Sequence, residues 1–472
     1  MTKLSQHFRN PQNAGQIGNA DAVSSAGSAS DKNLVILNAS IKGPVIEDIR
    51  FKAFGCDWAI AAASYITTQA KGKDILEAAK ITIEDVECYF GGLPQNKRNA
   101  ADSAVLALSK LISTYLSKNQ KKLYPAHTHR AAVAMSGGID SSIAAKILKD
   151  EGYDILGLTM KTLPSKKGSE SPDILQAKQV CSSLGIPHVV IDLTAQFGKT
   201  IIENFLNDYL KGKTPNPCVD CNKFIKFKEL LQKALMLGST YLASGHYCIV
   251  ENRPDHIRVI RKGVDSAKDQ SYMLWRLSQQ QLKHIKFPLG KYHKKKIKEM
   301  GKKYFPFLGN KPESQDICFI GKRGYRQLLS DYSIEKGKII NSKGKVLGTH
   351  EGYPYYTIGQ RKGLGISWPR PLYVKEIIPP QNIIVVGEKE ELLQKELRME
   401  DINFISGKPP SSSFAAEVMI RYNSIPASAT IRMAGEKSAI CTFDQPQSAI
   451  TPGQSAVFYQ KDLLLGGGII VK

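Results

Sequence analysis

The spacing of apolar residues changes character several times along the chain. LVILNASI (34–41) and VIEDIRFKAF (45–54) alternate apolar and polar positions with period two, which predicts two strands, each with one buried face. AIAAASYITTQAKG (59–72), ILEAAK (75–80) and ADSAVLALSKLISTYL (101–116) repeat their apolar residues every three or four positions, which predicts helices. The residues before them read as polar turns. Near residue 118 the pattern stops: SKNQKKLYPAHTHR is polar, basic and broken by Pro125, as expected of an interdomain linker.

Beyond that stretch, short apolar runs take turns with amphipathic ones. AAVAM (131–135), DILGLTM (154–160), HVVIDLT (188–194) and TYLASGH (240–246) read as buried strands. SSIAAKILKDEG, DILQAKQVCSSLG, TIIENFLNDYLKG and NKFIKFKELLQKALMLG read as the helices between and after them. Such alternation predicts an α/β domain with a doubly wound parallel sheet, whose ligands bind at the carboxyl ends of the strands. From 319 to 390 the signal is mixed and glycine-rich. From 391 onward, EVMIRYNSI, SATIRMA, SAICTFD, SAVFYQ and GGGIIVK are short runs between Pro, Gly and Asp, which predicts a C-terminal β-barrel. The expected division is therefore 1–117, linker 118–128, 129–318, 319–390 and 391–472.

A length of 472 residues suits several domains rather than one core. Apolar content of 42% and charged content of 23% are those of a soluble globular protein. MTKLSQHFRN lacks the apolar core of a secretory leader and no apolar run spans a bilayer, so no membrane association and a cytoplasmic location are expected. The net charge of +22 is uneven: residues 1–117 hold 12 Lys/Arg against 11 Asp/Glu, leaving about +21 on the rest. That surplus predicts a polyanionic partner, RNA or DNA, bound by the later domains.

The sharpest chemical signal is S-G-G-I-D-S, Ser136 to Ser141, between a strand and a helix. Gly137 and Gly138 let the backbone approach an anion, Ser136 and Ser141 add hydroxyls, and the helix N-terminus favours negative charge. Asp140 suits holding Mg2+ or the turn itself. The lysine of a Walker A loop is missing, so the expected chemistry is ATP cleavage to pyrophosphate, not γ-phosphate transfer.

T-P-N-P-C-V-D-C-N places Cys218 and Cys221 before a basic helix, where Lys223 and Lys226 favour the thiolate. A C-x-x-C alone is ambiguous between a redox pair and half a metal site. Cys318, in S-Q-D-I-C-F-I, is a third candidate, and three cysteines suit a cluster with one open iron or a sulfur relay. Cys88, Cys181, Cys248 and Cys441 read as core residues.

Taken in order, S-G-G-I-D-S-S, G-L-T-M-K, T-P-N-P-C-x-x-C-N-x-x-I-K-F, S-G-H-Y, K-D-Q-S-Y, Q-D-I-C-F-I and Y-T-I-G-Q-R-K-G-L-G-I resemble the tRNA-specific 2-thiouridylases over about residues 129–472. The resemblance implies a PP-loop ATP-pyrophosphatase at 129–318 and a central tRNA-binding domain at 319–390, an enzyme that adenylates the wobble uridine of tRNA, then replaces AMP with persulfide sulfur. It implies an ATP site at Ala134, Met135, Ser136, Gly137, Gly138, Ile139, Asp140, Ser141, Met160 and Gly245. By the same match Cys221 is the nucleophile and Cys318 the persulfide carrier. Asn216, Pro217 and Cys218 form the target-base loop, and His246, Lys268, Asp269, Gln270, Arg421, Tyr422 and Gln454 contact tRNA. Partners implied are the tRNAs for Lys, Glu and Gln and a sulfur donor such as a cysteine desulfurase. Members with the C-x-x-C form leave two routes open, a Cys221–Cys318 disulfide cycle or a 4Fe-4S cluster on Cys218, Cys221 and Cys318.

H-F-R-N-P-Q-N-A-G, F-K-A-F-G-C-D-W-A-I-A-A-A-S and L-P-Q-N-K make residues 1–117 resemble the NifU/IscU iron-sulfur scaffolds. Of the ligand set only Asp31 and Cys56 remain, with Ala29 and Ala100 at the other cysteine positions and Asn99 replacing a histidine. Alanine cannot ligate iron, so a degenerate scaffold is expected, one that docks a sulfur donor or passes sulfur through Cys56. Two other readings remain: a cluster scaffold or carrier, and another ATP-pyrophosphatase such as an amide-forming synthetase.

Overall fold

The computed structural model describes residues 2–28, 33–119, 123–124, 127–164, 170–309, 317–320 and 324–471. The chain gathers into two units, Met1–Ala195 with Lys226–His246 and His284–Pro312, and Gln196–Ile225 with Tyr247–Lys283 and Glu313–Lys472. Among the described residues no helix is long and apolar enough to cross a membrane.

In the first unit β1 (Ala22–Ala26), β2 (Asn33–Lys42) and β3 (Val45–Gly55) form an antiparallel sheet in that order. The period-two pattern is realised on β2, where Val35, Leu37 and Ala39 have no exposure, and on β3 at Ile49 and Phe51; Ile46, three residues before Ile49, is also buried because the register shifts by one residue there. Helices Asp57–Ala70 and Arg98–Lys118 pack on the sheet. Where the sequence suggests only polar turns, Lys3–Arg9 is a short helix, because the Thr2 hydroxyl accepts the Ser5 N–H and caps it.

The same unit holds β4 (His127–Ala134), β5 (Asp154–Lys161), β6 (His188–Asp192) and β7 (Ser239–Ala243). After the hairpin of β8 (Cys248–Asn252) and β9 (Arg258–Lys262), which belongs to the second unit, β10 (Ile285–Lys286) returns to this sheet. All pairings are parallel and the order is β10-β7-β4-β5-β6. Four of these five strands are foreseen by the sequence pattern; β10, two residues long, is too short to show a period. The strand order reverses between β4 and β7, so the ligand crevice opens past Ala134 and Ala243, at the carboxyl ends of those strands.

The stretch expected to be a linker is tied down in its described parts. The last turn of helix Arg98–Lys118 ends on Lys233, buried to 6% exposure, whose ammonium donates to the carbonyls of Leu116, Ser117 and Asn119 at 2.9, 3.1 and 2.8 Å. The amides of Leu123 and Tyr124 donate to the Met236 carbonyl, and the Tyr124 hydroxyl donates to Asp74 at 2.7 Å. A cation on helix-terminal carbonyls is favoured by both charge and geometry. Deleting residues 1–117 would take from Lys233 two of these three acceptors, the carbonyls of Leu116 and Ser117.

In the second unit β11 (Gly337–Asn341), β12 (Val346–His350), β13 (Tyr373–Ile378) and β14 (Ile383–Gly387) form a sheet of order β12-β11-β14-β13 around Ile339, Val374, Ile384 and Val386. Then β15 (Leu393–Phe404), β16 (Ser413–Met419), β17 (Ala427–Gly435), β18 (Ser438–Ser448), β19 (Ser455–Gln460) and β20 (Leu463–Val471) run in the order β15-β18-β17-β16-β19-β20, and β15 pairs with β20 to close a six-strand barrel. Closure removes the sheet edges. The β8–β9 hairpin attaches to β20.

Candidate active site

Residues Ser136 to Ser141 form a preshaped loop at the end of β4. Gly137 has φ +71°, and a Cβ there would sit 2.5 Å from the Asp173 carbonyl oxygen, so only glycine fits. Gly138 precedes helix Ile139–Asp150, and its carbonyl accepts from the hydroxyls of Ser141 (3.0 Å) and Ser142 (2.9 Å). The Ser136 amide donates to Ser141 Oγ at 3.2 Å. Gly245, following β7, is forced by proximity: a Cβ would lie 2.9 Å from the Asp140 carbonyl carbon. Ala134 and Met135 lead into the loop, Met135 with its side chain buried, and Met160 lies half-buried on β5. The structure therefore brings Gly245 against the loop at Asp140 and Ser141.

One residue here has no sequence signal. Lys294, at the start of helix Lys294–Tyr304, places its ammonium 2.7 Å from both carboxylate oxygens of Asp140, with its side chain 10% exposed. That helix approaches closely because Gly301 faces Ile139, where a Cβ would meet Ile139 Cγ2 at 2.7 Å. A cation is thus brought to the loop by a helix far along the chain. Asp140, expected to hold Mg2+ or the turn, here engages Lys294.

Behind the loop, Thr159 donates to the Met135 carbonyl at 3.0 Å and accepts from His188 Nε2 at 2.8 Å. Burial pushes the His188 imidazole down to about 3, so it is neutral. In the unfolded chain it takes a proton below about pH 6.5. The stability His188 contributes is therefore whole above about pH 6.5 and is lost as pH falls toward 3, by up to about 1.4 kcal/mol per pH unit. His188→Gln is expected to flatten that acid limb in urea titrations; an unchanged slope would assign the limb to other groups.

In the second unit, helix Pro217–Asp220 starts earlier than the lysine-rich pattern suggests and runs into a π-helical stretch, Cys221–Leu230. Asn216 caps it by accepting the Cys218 amide at 3.2 Å, and its amide group reaches Met273 Sδ at 3.6 Å. Pro217 at the first helical position fixes the entry. Cys218 and Cys221 are half-buried, Cys221 opening the π-helical stretch; such stretches recur at functional sites. Arg276 pairs with Asp220 and Asp401. Burial and the nearby Arg276 pull the Lys223 ammonium down.

The residues assigned to tRNA contact separate into two groups. Tyr422 donates to the Asp269 carbonyl at 3.3 Å, joining the Lys268–Gln270 turn to the Arg421–Tyr422 loop. Burial, Asp269 and Cys218 all raise the Tyr422 phenol. Gln454 donates to the Thr214 carbonyl at 2.7 Å and staples the cysteine loop to the barrel. Asp269 accepts from Gly263 and Ser271 and so builds a turn, and the Gln270 side chain accepts the Tyr247 amide. His246 differs: it is 7% exposed, hydrogen-bonded to Ser244 at 2.7 Å, packed beside Phe227 and Phe287, and held neutral by burial.

Cys318 is exposed, and Phe319 beside it packs edge-on against Phe197 and Phe205 at 5.7 and 5.2 Å. Among the described residues, Cys218, Cys221 and Cys318 included, no three His, Cys, Asp or Glu side chains gather closely enough to hold a metal ion. Cys181, Cys248 and Cys441 are buried, and burial raises their thiols. Cys88, expected in the core, is exposed: helix Ile83–Phe90 buries Val86, and two residues further on the chain has turned about 200° to the outer face. Cys56 is half-buried before helix Asp57–Ala70 and Ala100 is buried, while Ala29 and Asp31 lie outside the described residues.

A reversed-order parallel sheet with this anion loop defines a nucleotide-binding α/β enzyme domain, and residues 129–322 match the tRNA methyl transferase HUP domain family. Residues 326–388 match the tRNA methyl transferase PRC-barrel domain, 394–470 the aminomethyltransferase beta-barrel domain, and 1–122 the NifU-like N terminal domain. The tRNA-specific 2-thiouridylase MnmA of Carboxydothermus hydrogenoformans is 42% identical over 356 residues, 73% of this chain and 98% of that protein. MnmA 2 of Thermoanaerobacter sp. is 46% identical over 355 residues, 72% of this chain and 98% of its own length. The chain belongs to the MnmA family of tRNA-specific 2-thiouridylases, and carries a NifU-like domain before it. A solved structure of a putative iron-sulfur cluster assembly scaffold protein from Fervidobacterium islandicum covers 24% of this chain and 95% of its own at 18% identity, with a TM-score of 0.21.

Proposed function

We propose that this protein is an ATP-dependent tRNA 2-thiouridylase, a sulfurtransferase acting on the wobble uridine. The uridine C2 oxygen attacks the α-phosphorus of ATP, pyrophosphate leaves, and the C2–O–AMP ester makes that oxygen a good leaving group. The terminal sulfur of a Cys318 persulfide attacks C2 and AMP departs. The Cys221 thiolate then attacks the Cys318 sulfur, leaving sulfur on the base and a Cys221–Cys318 disulfide, which an external thiol reductant reopens. ATP binds at Ala134 to Ser141, with Met160 and Gly245. Asn216, Pro217 and Cys218 receive the base, and Lys268 to Gln270, Arg421, Tyr422 and Gln454 frame the RNA. His246 supports the loop after β7 from beneath.

The observation that carries this reading is the cysteine loop, fixed to the barrel by Gln454 and adjoining Tyr422, in a chain that matches 2-thiouridylases along 98% of their length. ATP enters as its Mg2+ complex; in this conformation the Lys294 ammonium sits against both Asp140 oxygens. Substrates are the tRNAs for Lys, Glu and Gln, and the location is cytoplasmic, where a tRNA-modifying enzyme meets its substrate. The division at 117, 128, 318 and 390 separates scaffold-like, linker, PP-loop, central and barrel parts. The N-terminal part docks a cysteine desulfurase or a related persulfide donor.

The test is to incubate the full chain with ATP, a persulfide donor and unmodified tRNA, and to quantify 2-thiouridine and AMP. Equal amounts of both are expected. AMP without 2-thiouridine, aerobically and anaerobically, would point to another acceptor. Iron and acid-labile sulfide measured on the same anaerobic preparation are expected to be substoichiometric; a full cluster whose chelation ends activity would replace the disulfide route by the cluster route.

A further inference from the structure

The motif Y-T-I-G-Q-R-K-G-L-G-I contributes to the family resemblance, yet none of its residues enters the site above. In the structure Arg361, Gly363 to Ile366 and Trp368 to Leu372 line an open groove of about 460 Å³. Its floor is fixed: Leu364 and Leu372, 7% and 8% exposed, belong to the core around Ile339 and Val374. Gln360 braces the wall, accepting the Thr357 amide at 3.2 Å and donating to the Lys362 carbonyl at 2.9 Å. Gly359, Gly363 and Gly365 have φ of +86°, +79° and +67°, so the tight turns that shape the wall need residues free of a Cβ.

The rim carries the chemistry. Trp368 is 38% exposed, whereas Trp58 and Trp275, the other tryptophans of the chain, are 8% and 0% exposed. Arg361 and Lys362 are exposed, and among the described residues neither has an ion-pair partner. Arg370, also on the rim, is balanced by Glu388 at 3.1 Å. An exposed indole and the Arg361 guanidinium line one groove, and exposed Lys362 follows Arg361 in the chain; together they match one nucleotide unit, a flat base to stack and flanking phosphates. An acidic peptide would satisfy the cations but leave the indole face in water.

We propose that this groove is an RNA site distinct from the cysteine loop, taking an unpaired nucleotide of the tRNA with its base on Trp368 and its flanking phosphates on Arg361 and Lys362. The proposal rests on the tRNA reading above and deepens it, naming the groove, the residues and the unpaired state of the nucleotide that the central domain takes.

Trp58, Trp275 and Trp368 all contribute to intrinsic fluorescence, and the difference between the wild-type chain and Trp368→Phe isolates the exposed Trp368. Unmodified tRNA added to the full chain is expected to quench emission, and Trp368→Phe to abolish most of that quench. Trp368→Ala is expected to weaken tRNA binding roughly five- to hundredfold. Arg361→Gln/Lys362→Gln is expected to reduce the slope of log affinity against log salt by about 1.5, two phosphate contacts fewer. Unchanged fluorescence on adding tRNA, quenching by an acidic peptide in place of tRNA, or wild-type affinity and slope in these variants would overturn the proposal. The product assay separates the two claims: 2-thiouridine formed without a Trp368 quench defeats the groove alone, and a quench without 2-thiouridine defeats the enzymatic reading alone.

Discussion

Replacing Cys221 by serine is expected to end 2-thiouridine formation while ATP still binds. A serine hydroxyl is not ionised near neutral pH, so it is too weak a nucleophile to attack the Cys318 sulfur. The loss should be at least about a thousandfold, roughly 4 kcal/mol on the barrier. Folding should survive, since Cys221 is half-buried and the loop is held by the Asn216 cap, Gln454 and the Asn222 amide, which donates to the Met273 carbonyl at 3.2 Å. The companion variant Cys218→Ser separates the routes. Its backbone amide still meets Asn216, so in the disulfide cycle thiolation continues. Equal loss in both variants, measured as 2-thiouridine per tRNA, would mean that Cys218 is a required ligand or thiol. Full activity of Cys221→Ser would remove Cys221 from the chemistry.

What is legible in the sequence is what is local. S-G-G-I-D-S announces its loop because the turn, the helix start and the hydroxyls lie within six consecutive residues, and the geometry of Gly137 and Ser141 follows from that stretch. The parallel sheet and the barrel are legible because period and turn residues are local too. Cys318 stands out by its polar flanks, but its anchor, Phe319 against Phe197 and Phe205, pairs residues more than a hundred positions apart. Lys233 sits in NKFIKFKELLQKALMLG, which the sequence marks as a helix without separating Lys233 from its other lysines, yet it is buried on the carbonyls ending helix Arg98–Lys118. Cys88 shows the opposite error, an apolar context that suggests burial where helical phase turns the side chain outward. Family resemblance places His246 among RNA contacts; only three-dimensional packing shows its ring beneath the surface.

Lys294 is the extreme case, one of three consecutive lysines that nothing local tells apart, and its replacement is the second large effect expected. Its ammonium lies 2.7 Å from both Asp140 oxygens, with 10% of its side chain exposed. When ATP occupies the loop, the phosphates are the stronger anion, and an ammonium held at this place offsets the charge that builds on departing pyrophosphate. Lys294→Met is therefore expected to lower AMP release by about a hundredfold to a thousandfold. It also strips Asp140 of this cation, so the carboxylate repels the phosphates beside it. The stability cost should be smaller, about 1–3 kcal/mol, because Asp140 is 35% exposed and water takes up part of the loss. The double variant Lys294→Met/Asp140→Asn distinguishes a structural role from a chemical one. Removing both charges should recover much of the stability in urea melts, because no carboxylate is left to be neutralised. AMP release should stay low, since no cation has been returned to the pyrophosphate. Recovery of both together would make the pair a structural brace, and wild-type AMP release in Lys294→Met would exclude Lys294 from ATP cleavage.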